Sequence, residues 1–552
     1  MNLFGWITRK DVSAKSDISL LIVVFGVAFF QSLGRLPLME PDEGRYAEIP
    51  REMLELSDFI TPHLNYVKYF EKPPLHYWLT ALSMATFGQN EFAARFVGAL
   101  MGLLTLLLTY HVGRKLFDRR SGFLAALILG CCSGFMVQAR LNIIDMTLTC
   151  TLSATLAFFI VAIREGEESK GLYYHLSYVC AAMAVLAKGL IGVVFPCAIV
   201  FLFLCFTKRW RLLKEMRLAT GIPLFLAIAA PWFVLVSVKN PEFARFFFIH
   251  EHFERFTTTV HGRYQPFWFF VPVLLGTMIP WSMFIPAAIR YAWLQRKSTA
   301  WSSQLYLIIW AVFIFMFFSK SDSKLIPYIL PVFPALALLL GNAISKSFDA
   351  EFRPFRLSAC LAGGVLTILG AGIILYPHFA SNPAFSVLNG AIIGILFFCE
   401  GISTLATVRK ENILALFIVF CFFSYLLGII GPFVILPDIV VSKSTRELAL
   451  QARSMAGKES IVTSFGYEQG LPFYAKRRVV VVGDRNELDF GSHQGDQSAW
   501  FVGYGGFKAI WDGKAPVYAL LTELELSLIK GMVKTPIREI VRNSRKILIT
   551  NR

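Results

Sequence analysis

Residues 412–436 read NILALFIVFCFFSYLLGIIGPFVIL, a run without a single Asp, Glu, Lys or Arg. A helix needs about 20 mostly apolar residues to cross a bilayer, because each backbone polar group must find its hydrogen-bond partner within the helix. The run is long enough to meet this requirement. It therefore predicts a transmembrane helix.

Similar apolar runs recur along the chain, and we count thirteen candidate spans. The fifth and sixth run together at Lys188-Gly189, so twelve or fourteen spans remain alternatives. The thirteen are approximately 18–35, 92–116, 121–138, 145–163, 173–187, 188–206, 219–238, 268–290, 303–318, 325–343, 357–377, 385–407 and 412–436.

The composition agrees with a polytopic membrane protein. Of 552 residues, 56% are hydrophobic and only 16% are charged, against about 25% charged in a soluble globular protein. The net charge is +16, but its Lys and Arg are scattered between apolar runs and do not form the dense basic patch of a nucleic-acid binder. Neither a soluble protein nor a nucleic-acid partner is therefore expected.

Basic residues in the short connections predict the orientation. If the N-terminus is cytoplasmic, the connections on that side are all basic, as at 208–217 and 409–410, whereas the opposite connection 378–384 contains no Lys or Arg. Since thirteen spans is an odd number, the C-terminus then faces outward.

Three outward segments are long: 36–91, 239–267 and the tail after residue 436. The tail combines a helical pattern at Thr445–Ala456 with strand-like runs at Ser460–Phe465, Arg478–Val482 and Lys546–Thr550, which predicts a small α/β domain. We therefore divide the chain into a transmembrane domain, 1–436, and an outer domain, 437–552. All nine cysteines lie in or beside the spans, so no disulfide is expected in the outer segments.

The first outer loop contains two charged motifs. Pro41-Asp42-Glu43-Gly44-Arg45-Tyr46 follows the end of the first span, and Lys68-Tyr69-Phe70-Glu71-Lys72-Pro73-Pro74 lies further along. One interpretation is an interfacial loop with solvated charges and an aromatic belt. The other is a functional site, because carboxylates close to hydrocarbon are costly to maintain.

Three further clusters lie at outward ends of spans. Asp145 begins an apolar helix, where an interaction with the helix dipole would also explain it. His250-Glu251-His252 with Arg255 offers metal-binding residue types, although a polar surface helix explains the same pattern. Lys320 and Lys324 precede Tyr328 in a proline-punctuated segment.

These clusters combine two kinds of chemistry on one side of the membrane. Arg and Lys bind phosphate oxygens, whereas carboxylates suit sugar hydroxyls, a sugar amine and an anomeric centre. The combination favours a sugar donor carried on a lipid phosphate. The main alternative from another class is a secondary transporter, but its usual repeats and mid-span polar residues are not evident.

The motifs at 41–46, 70–74 and 323–328 resemble those of the polyprenyl-phosphate-dependent glycosyltransferases of the C-type integral membrane fold. Within them, the chain is most similar to the lipid A 4-amino-4-deoxy-L-arabinose transferase family, which is related to the protein O-mannosyltransferases. The resemblance implies about 13 transmembrane helices with a C-terminal periplasmic α/β domain. It also implies transfer of 4-amino-4-deoxy-L-arabinose from undecaprenyl phosphate to lipid A, an activity linked to polymyxin resistance. Protein O-mannosyl transfer and transfer of galacturonic acid or another sugar to lipopolysaccharide remain alternatives.

The resemblance also implies roles for individual residues. Catalytic roles fall on Asp42, Glu71 and Asp145. Donor-phosphate binding falls on Lys72, Arg255 and Tyr328, and the pocket is completed by Arg45, Tyr46, Tyr69 and Lys324.

The resemblance implies no required cofactor, although a divalent metal such as zinc has a candidate site at Glu71 and His250. The expected location is the bacterial inner membrane, with the site and the C-terminal domain in the periplasm. The expected partners are the undecaprenyl-phosphate sugar donor, a lipid A or other envelope acceptor, and membrane lipid.

Overall fold

The structure is a computed structural model that describes residues 3–9, 12–254, 264–348, 353–381, 383–434, 436–441 and 443–552. The chain forms two compact units. The first contains residues 1–31, 98–237 and 241–435, and the second contains 32–97, 238–240 and 436–552.

The first unit is helical, and most of the predicted spans fall on its helices. Its helices are Leu3–Thr8, Ala14–Phe30, Arg119–Gly130, Ser133–Gln138, Ile144–Ala162, Glu167–Lys188, Ile191–Thr207, Leu212–Glu215, Phe270–Thr277, Ile285–Leu294, Trp301–Lys320, Phe333–Ser347, Arg353–Phe379, Val387–Arg409 and Ile413–Val434. Helices Glu91–Leu116 and Leu218–Lys239 begin or end in the second unit. A π-helix covers Arg245–Glu254, and 3-10 helices cover Trp281–Phe284 and Ile326–Val332.

The expected number of spans is not confirmed, although the multi-pass helical fold is. Among the described residues, 8 helices are long and apolar enough to cross a membrane, or up to 9 if a helix pair bent by 108° between Phe270 and Leu294 counts as one span. Other predicted spans consist of shorter or broken helices, such as Ala14–Phe30 and the pair at 119–138. The fifth and sixth spans are separate helices, and Gly189 between them has a φ of +81°.

The second unit is built around a mixed sheet. Its larger sheet has the order β5-β4-β3-β6-β8-β7, in which β3 pairs in parallel with both β4 and β6, β4 pairs in parallel with β5, and β8 is antiparallel to β6 and β7. The strands are β1 His63–Leu64, β2 Val67–Lys68, β3 Ile461–Phe465, β4 Val480–Val482, β5 Phe501–Val502, β6 Val517–Leu521, β7 Arg538–Arg542 and β8 Ile547–Thr550. The predicted C-terminal α/β fold is confirmed.

Short helices complete this unit: Asp42–Leu56, Leu75–Phe87, Leu436–Val441, Arg446–Met455, Gly470–Ala475, Asp489–Ser492, Tyr504–Trp511 and Glu523–Lys530, with a 3-10 helix at Asn486–Leu488. The predicted helix at Thr445–Ala456 corresponds to Arg446–Met455, whose apolar side is buried through Leu448, Ala449 and Ala452.

The first outer loop and the C-terminal residues share one apolar core. Leu38, Ala47 and Met84 from the loop pack in a cluster with Leu448 and Leu520, all of them almost completely buried. The compact units therefore differ from the expected linear division at residue 436, because residues 32–97 fold with the C-terminal residues. This loop is consequently held in place by apolar packing, and its charged motifs stand on a fixed framework.

Candidate active site

Glu40, just before the first motif, and Asp42 and Glu43 within it have three different environments. Glu40 accepts a hydrogen bond from the Thr445 hydroxyl at 2.8 Å and one from the Gly470 backbone N–H at 2.9 Å. Burial, and to a smaller extent the charge of the nearby Glu468, raise the pKa of the Glu40 carboxyl to about 8. Glu40 therefore joins the first loop to the C-terminal residues.

Glu43 is paired with Arg95 of helix Glu91–Leu116. Its two carboxylate oxygens each accept a hydrogen bond from Arg95 at 2.7 Å, and both side chains are at least 95% buried. The same guanidinium donates to the carbonyls of Leu33, Leu36 and Pro37 at 2.6–2.8 Å. This arrangement satisfies every donor of the guanidinium, and it fixes the segment that leads into helix Asp42–Leu56.

Asp42 is the accessible carboxylate of the three. It lies in the first turn of helix Asp42–Leu56, and its side chain is 42% exposed. Arg45, one turn later, is almost fully buried; its Nη2 lies 3.6 Å from Asp42 Oδ1 and 2.7 Å from Glu487 Oε2. The arginine is therefore shared between the exposed Asp42 and the buried Glu487.

Burial raises the pKa of Glu487 to about 7; the Arg45 charge lowers it, and the Glu71 charge raises it. Asp42 and Glu71 thus both act on the carboxyl of Glu487, which is paired with the Arg45 guanidinium. A cationic sugar amine would be attracted to such a cluster.

Tyrosine side chains form the apolar wall beside Arg45. The Arg45 guanidinium lies 5.5 Å from the ring centroid of Tyr46, and its Nη1 is 3.5 Å from the Tyr69 hydroxyl. Tyr46 in turn packs against Tyr77 with ring centroids 6.1 Å apart. The Tyr77 hydroxyl is buried and has no hydrogen-bond partner among the described residues. Three of the predicted site residues, Arg45, Tyr46 and Tyr69, are therefore brought together with Asp42.

Glu71 and Lys72 lie just before helix Leu75–Phe87, and both are half-buried. Lys72 Nζ donates a hydrogen bond to the backbone carbonyl of Glu71 at 2.8 Å. Pro73 and Pro74 restrict the backbone between this pair and the helix. The Glu71 charge also acts on Tyr69, whose pKa is raised mainly by burial. The glutamate thus belongs to the same cluster as Asp42.

A second cluster lies in the first unit. Asp145 is in the first turn of helix Ile144–Ala162, and helix Glu167–Lys188 runs back beside it, so that Lys188 returns to the level of Asp145. The two side chains form an ion pair in which both are about 90% buried. Lys188 Nζ also lies 4.4 Å from the ring centroid of Tyr328. The structure therefore joins two predicted site residues, Asp145 and Tyr328, through a lysine.

Lys324 is 4% exposed and serves the backbone around it. Its ammonium group donates to the carbonyls of Gln265, at 2.7 Å, and Ser321. The same segments are joined by a hydrogen bond from the Gln265 N–H to the Asp322 carbonyl. In this position Lys324 holds the loop that precedes Tyr328, and its role in the pocket stays a prediction.

Two predicted residues cannot be placed fully. Arg255 lies outside the described residues, and the side chain of His250 is likewise not described, although its backbone lies in the π-helix Arg245–Glu254. The metal site proposed for Glu71 and His250 is therefore untested. Within the described part of the chain, no three His, Cys, Asp or Glu side chains are grouped so that they could hold a metal ion.

Sequence reasoning missed two members of these clusters. Lys188 could have been identified as a site residue from the sequence, because a lone charge between two apolar helices is costly unless it is paired or functional. Glu487 offered no such signal, since it lies in a polar stretch far along the chain from Arg45.

A multi-pass helical unit together with clustered carboxylates, cations and tyrosines defines an integral membrane glycosyltransferase of the C-type fold. Two family models match the chain. Residues 71–235 match the dolichyl-phosphate-mannose-protein mannosyltransferase model, and residues 448–551 match the aminoarabinose transferase C-terminal domain.

Individual relatives narrow the assignment. An undecaprenyl phosphate-alpha-4-amino-4-deoxy-L-arabinose arabinosyl transferase of Pseudomonas savastanoi pv. phaseolicola is 30% identical over 86% of this chain and 89% of its own length. Its counterpart from Aeromonas hydrophila is 28% identical over 94% of this chain and 96% of its own. The crystal structure of ArnT from Cupriavidus metallidurans bound to undecaprenyl phosphate superposes with a TM-score of 0.87 at 28% identity, covering 98% of both chains. The chain belongs to the undecaprenyl phosphate-aminoarabinose arabinosyl transferase family, as the sequence motifs predicted.

Proposed function

We propose that this enzyme transfers 4-amino-4-deoxy-L-arabinose from undecaprenyl phosphate to a phosphate group of lipid A. The observation that carries the donor assignment is the likeness, over 98% of both chains, to a solved relative that holds undecaprenyl phosphate. The cluster around Asp42 supports the amino sugar, because it places three carboxylates where a cationic amine would be stabilised. An acidic sugar would require additional cations there instead.

We propose that cationic and hydroxyl side chains bind the donor phosphate. We assign Lys72, Arg255 and Tyr328 to its oxygens, because charge develops on that phosphate as it leaves. Lys188 supports this assignment, because it places an ammonium group against the Tyr328 ring while it is paired with Asp145. Lys324 keeps the adjacent loop in position through its backbone hydrogen bonds.

The chemical step is a direct displacement. A lipid A phosphate oxygen forms a bond to the anomeric carbon, and the bond from that carbon to the donor phosphate oxygen breaks. The bonding electrons leave with undecaprenyl phosphate. Since the acceptor is already an anion, no proton has to be removed from it, and Asp42, Glu71 and Asp145 orient the sugar and stabilise positive charge on its ring. The product has inverted anomeric configuration, and a retained configuration seen by NMR would exclude a single displacement.

The residues account for this step without a cofactor. We propose that the reaction does not depend on a metal at Glu71 and His250. Dialysis of the purified enzyme against EDTA should therefore leave the initial rate unchanged. A rate that falls at least tenfold and returns with zinc would assign the metal a role.

The reaction takes place on the periplasmic face of the bacterial inner membrane, with the N-terminus in the cytoplasm. The basic connections at 208–217 and 409–410 support this orientation through the positive-inside rule. A membrane-impermeant thiol reagent gives the test: a cysteine introduced at exposed Lys514, in a variant without the native cysteines, should react from the periplasm. A residue modified only from the cytoplasmic side would reverse the orientation.

Substitution of the proposed site tests the assignment. Asp42→Asn and Lys72→Ala should each reduce transfer at least a hundredfold while the protein remains folded in detergent. The matched controls are Asp489→Asn and Lys514→Ala, which change exposed residues of the same unit and should retain the rate. If Asp42→Asn and Lys72→Ala are as active as their controls, the site is assigned wrongly.

A further inference from the structure

The first unit contains an apolar cavity that the transfer reaction does not use. Its volume is about 520 Å³, which lies within the range of about 300–1,000 Å³ for small-molecule sites. Its walls come from helices Ile144–Ala162, Glu167–Lys188, Ile191–Thr207 and Leu218–Lys239, and from the connection 208–217. All of its lining residues belong to the first unit.

The cavity is elongated, because its lining follows one face of helix Ile191–Thr207. The residues on this face are spaced by three or four positions, and they are Val193, Pro196, Cys197, Val200, Phe201 and Leu204. From Val193 to Leu204 the helix rises by about 16 Å. An elongated apolar space of this length is suited to a hydrocarbon chain.

The lining offers little to a polar ligand. None of its described lining residues is charged, and four of them carry a hydroxyl group. Thr155 and Ser177 donate to backbone carbonyls at 2.9 and 2.8 Å, and Tyr178 donates to the carbonyl of Met216 at 3.1 Å. The fourth, Tyr174, is 1% exposed. The occupant is therefore expected to be apolar within the cavity.

The cavity is closed toward the end of helix Glu167–Lys188 that carries Lys188. There the helix touches its successor so closely that a Cβ at Gly192 would lie 2.4 Å from the backbone nitrogen of Val185. Val185 also packs with Ala229 of helix Leu218–Lys239 in one buried cluster. A chain entering from this end would have to separate these helices.

The opposite end of the cavity is lined by the connection 208–217. Trp210, Leu213 and Met216 of this connection form the lining there. Trp210 is 46% exposed, and its ring lies edge-on to Phe201 with centroids 6.0 Å apart. Tryptophan is enriched where a membrane meets water, so this end marks the interface. The orientation proposed above makes it the cytoplasmic leaflet.

The same connection is strongly basic. Its carboxylate, Glu215, is already paired with Lys170. Burial, and to a smaller extent the Arg209 charge, lower the pKa of Arg164, so these two cations lie close enough to repel each other. The five cations of the connection are all exposed and form no ion pair with a residue that the structure describes: Lys208, Arg209, Arg211, Lys214 and Arg217.

We propose that this cavity holds an acyl chain of an anionic phospholipid whose phosphate binds the connection 208–217. Basic residues beside a pocket between transmembrane helices are suited to an anionic lipid headgroup, and the elongated apolar cavity accepts the chain attached to it. The positive-inside rule accounts for the charge of the connection but not for the apolar cavity that adjoins it. Binding here requires neither sugar donor nor transfer, so it is tested separately from the proposed function.

Native mass spectrometry of the full-length, delipidated protein in a neutral detergent, at low ionic strength, tests the proposal. The probes are phosphatidylglycerol and phosphatidylcholine with the same acyl chains. We expect the first phosphatidylglycerol to bind at least tenfold more tightly than phosphatidylcholine, and to stay bound when an equal concentration of undecaprenyl phosphate is added. Equal affinity for the two phospholipids would overturn the headgroup assignment. Displacement by undecaprenyl phosphate would assign the cavity to the donor's tail instead.

A variant within the cavity locates the chain. Cys197 lines the cavity and is exposed, so Cys197→Phe fills part of the space and should weaken binding of the first phosphatidylglycerol about tenfold or more. The matched control is Cys205→Phe, the same change at an exposed cysteine of the same helix that does not line the cavity. It should bind as the unmodified protein does. Equal affinity of both variants would place the chain elsewhere and refute the proposal.

A second pair of variants separates headgroup binding from net charge. Arg209→Gln combined with Lys214→Gln should remove most of the preference for phosphatidylglycerol, since each cation near an anionic lipid contributes to binding. Arg296→Gln combined with Lys297→Gln removes the same charge from exposed residues outside the cavity and should keep the preference. An equal loss in both double variants would show a general charge effect and contradict a site at 208–217.

Discussion

Replacement of Arg95 by Met should destabilise the second unit more than most single changes. The guanidinium forms two hydrogen bonds with buried Glu43 and three with the carbonyls of Leu33, Leu36 and Pro37. Removal of one partner of a buried ion pair costs about 3–5 kcal/mol, because the other charge is left without compensation. The unpaired carbonyls add to this cost.

The expected shift in melting temperature follows from the size of the unit. For about 150–250 residues, 1 kcal/mol corresponds to about 2–4 °C, so a loss of 3–5 kcal/mol lowers the unfolding transition by roughly 6–20 °C. Intrinsic fluorescence during heating in detergent measures this transition, since Trp500 and Trp511 both lie in the unit. Transfer activity should fall as well, because Asp42 directly precedes Glu43.

A matched control and a double variant separate the ion pair from other effects. Arg453→Met makes the same change at an exposed site of the same unit and should shift the transition by less than about 2 °C. Glu43→Met combined with Arg95→Met removes both charges together, and it should recover at least half of the loss. If Arg95→Met unfolds at the same temperature as the control Arg453→Met, or if the double variant is less stable than Arg95→Met alone, Glu43 and Arg95 are not coupled as described.

Three other perturbations have defined outcomes. Lys188→Met should lower the initial transfer rate at least tenfold, and combining it with Asp145→Asn should cause little further loss, since the pair acts as a unit; strictly additive losses would contradict the coupling. Burial raises the pKa of Glu40 to about 8 and of Glu487 to about 7, so the folded state holds protons that the unfolded state releases above pH 4.5. The melting temperature should therefore fall as pH rises from 5 to 9, and Glu40→Gln should flatten this profile; a rising profile would show that these carboxyls ionise normally. Glu487→Gln removes the 2.7 Å ion pair of Arg45 and leaves its longer contact with Asp42. This variant should reduce kcat/KM about tenfold or more with no loss of folded protein, and an unchanged kcat/KM would show that Glu487 is not part of the site.

The apolar runs predicted the helices well because burial in lipid requires a continuous stretch of apolar side chains. Residues 412–436 became helix Ile413–Val434, and 145–163 became Ile144–Ala162. The strand-like runs of the tail predicted β3, β4 and β8 for a related reason, since a buried parallel or central strand requires apolar residues on both faces. Composition alone could not predict where a helix breaks, and the sharp bend between Phe270 and Leu294 lies within one apolar run.

The site was predictable only where its residues are close in sequence. Asp42, Arg45 and Tyr46 share one motif, and their proximity follows from a single helical turn. The motif does not show that Glu43 turns away from Asp42 toward Arg95, because this depends on how helix Glu91–Leu116 packs. Nor does it show that Glu487 completes the surroundings of Arg45, since that contact exists only once residues 32–97 fold with the C-terminal sheet.

The central claim is tested most directly by reconstitution of the transfer reaction. In separate reactions, the purified enzyme would be given lipid A and undecaprenyl phosphate carrying 4-amino-4-deoxy-L-arabinose, galacturonic acid or mannose. The masses of the products would be measured by mass spectrometry. We predict that only the aminoarabinose donor adds one sugar to a lipid A phosphate, and that Asp42→Asn abolishes the addition. Transfer of galacturonic acid or mannose in its place, or transfer of aminoarabinose that is unaffected by Asp42→Asn, would contradict the account.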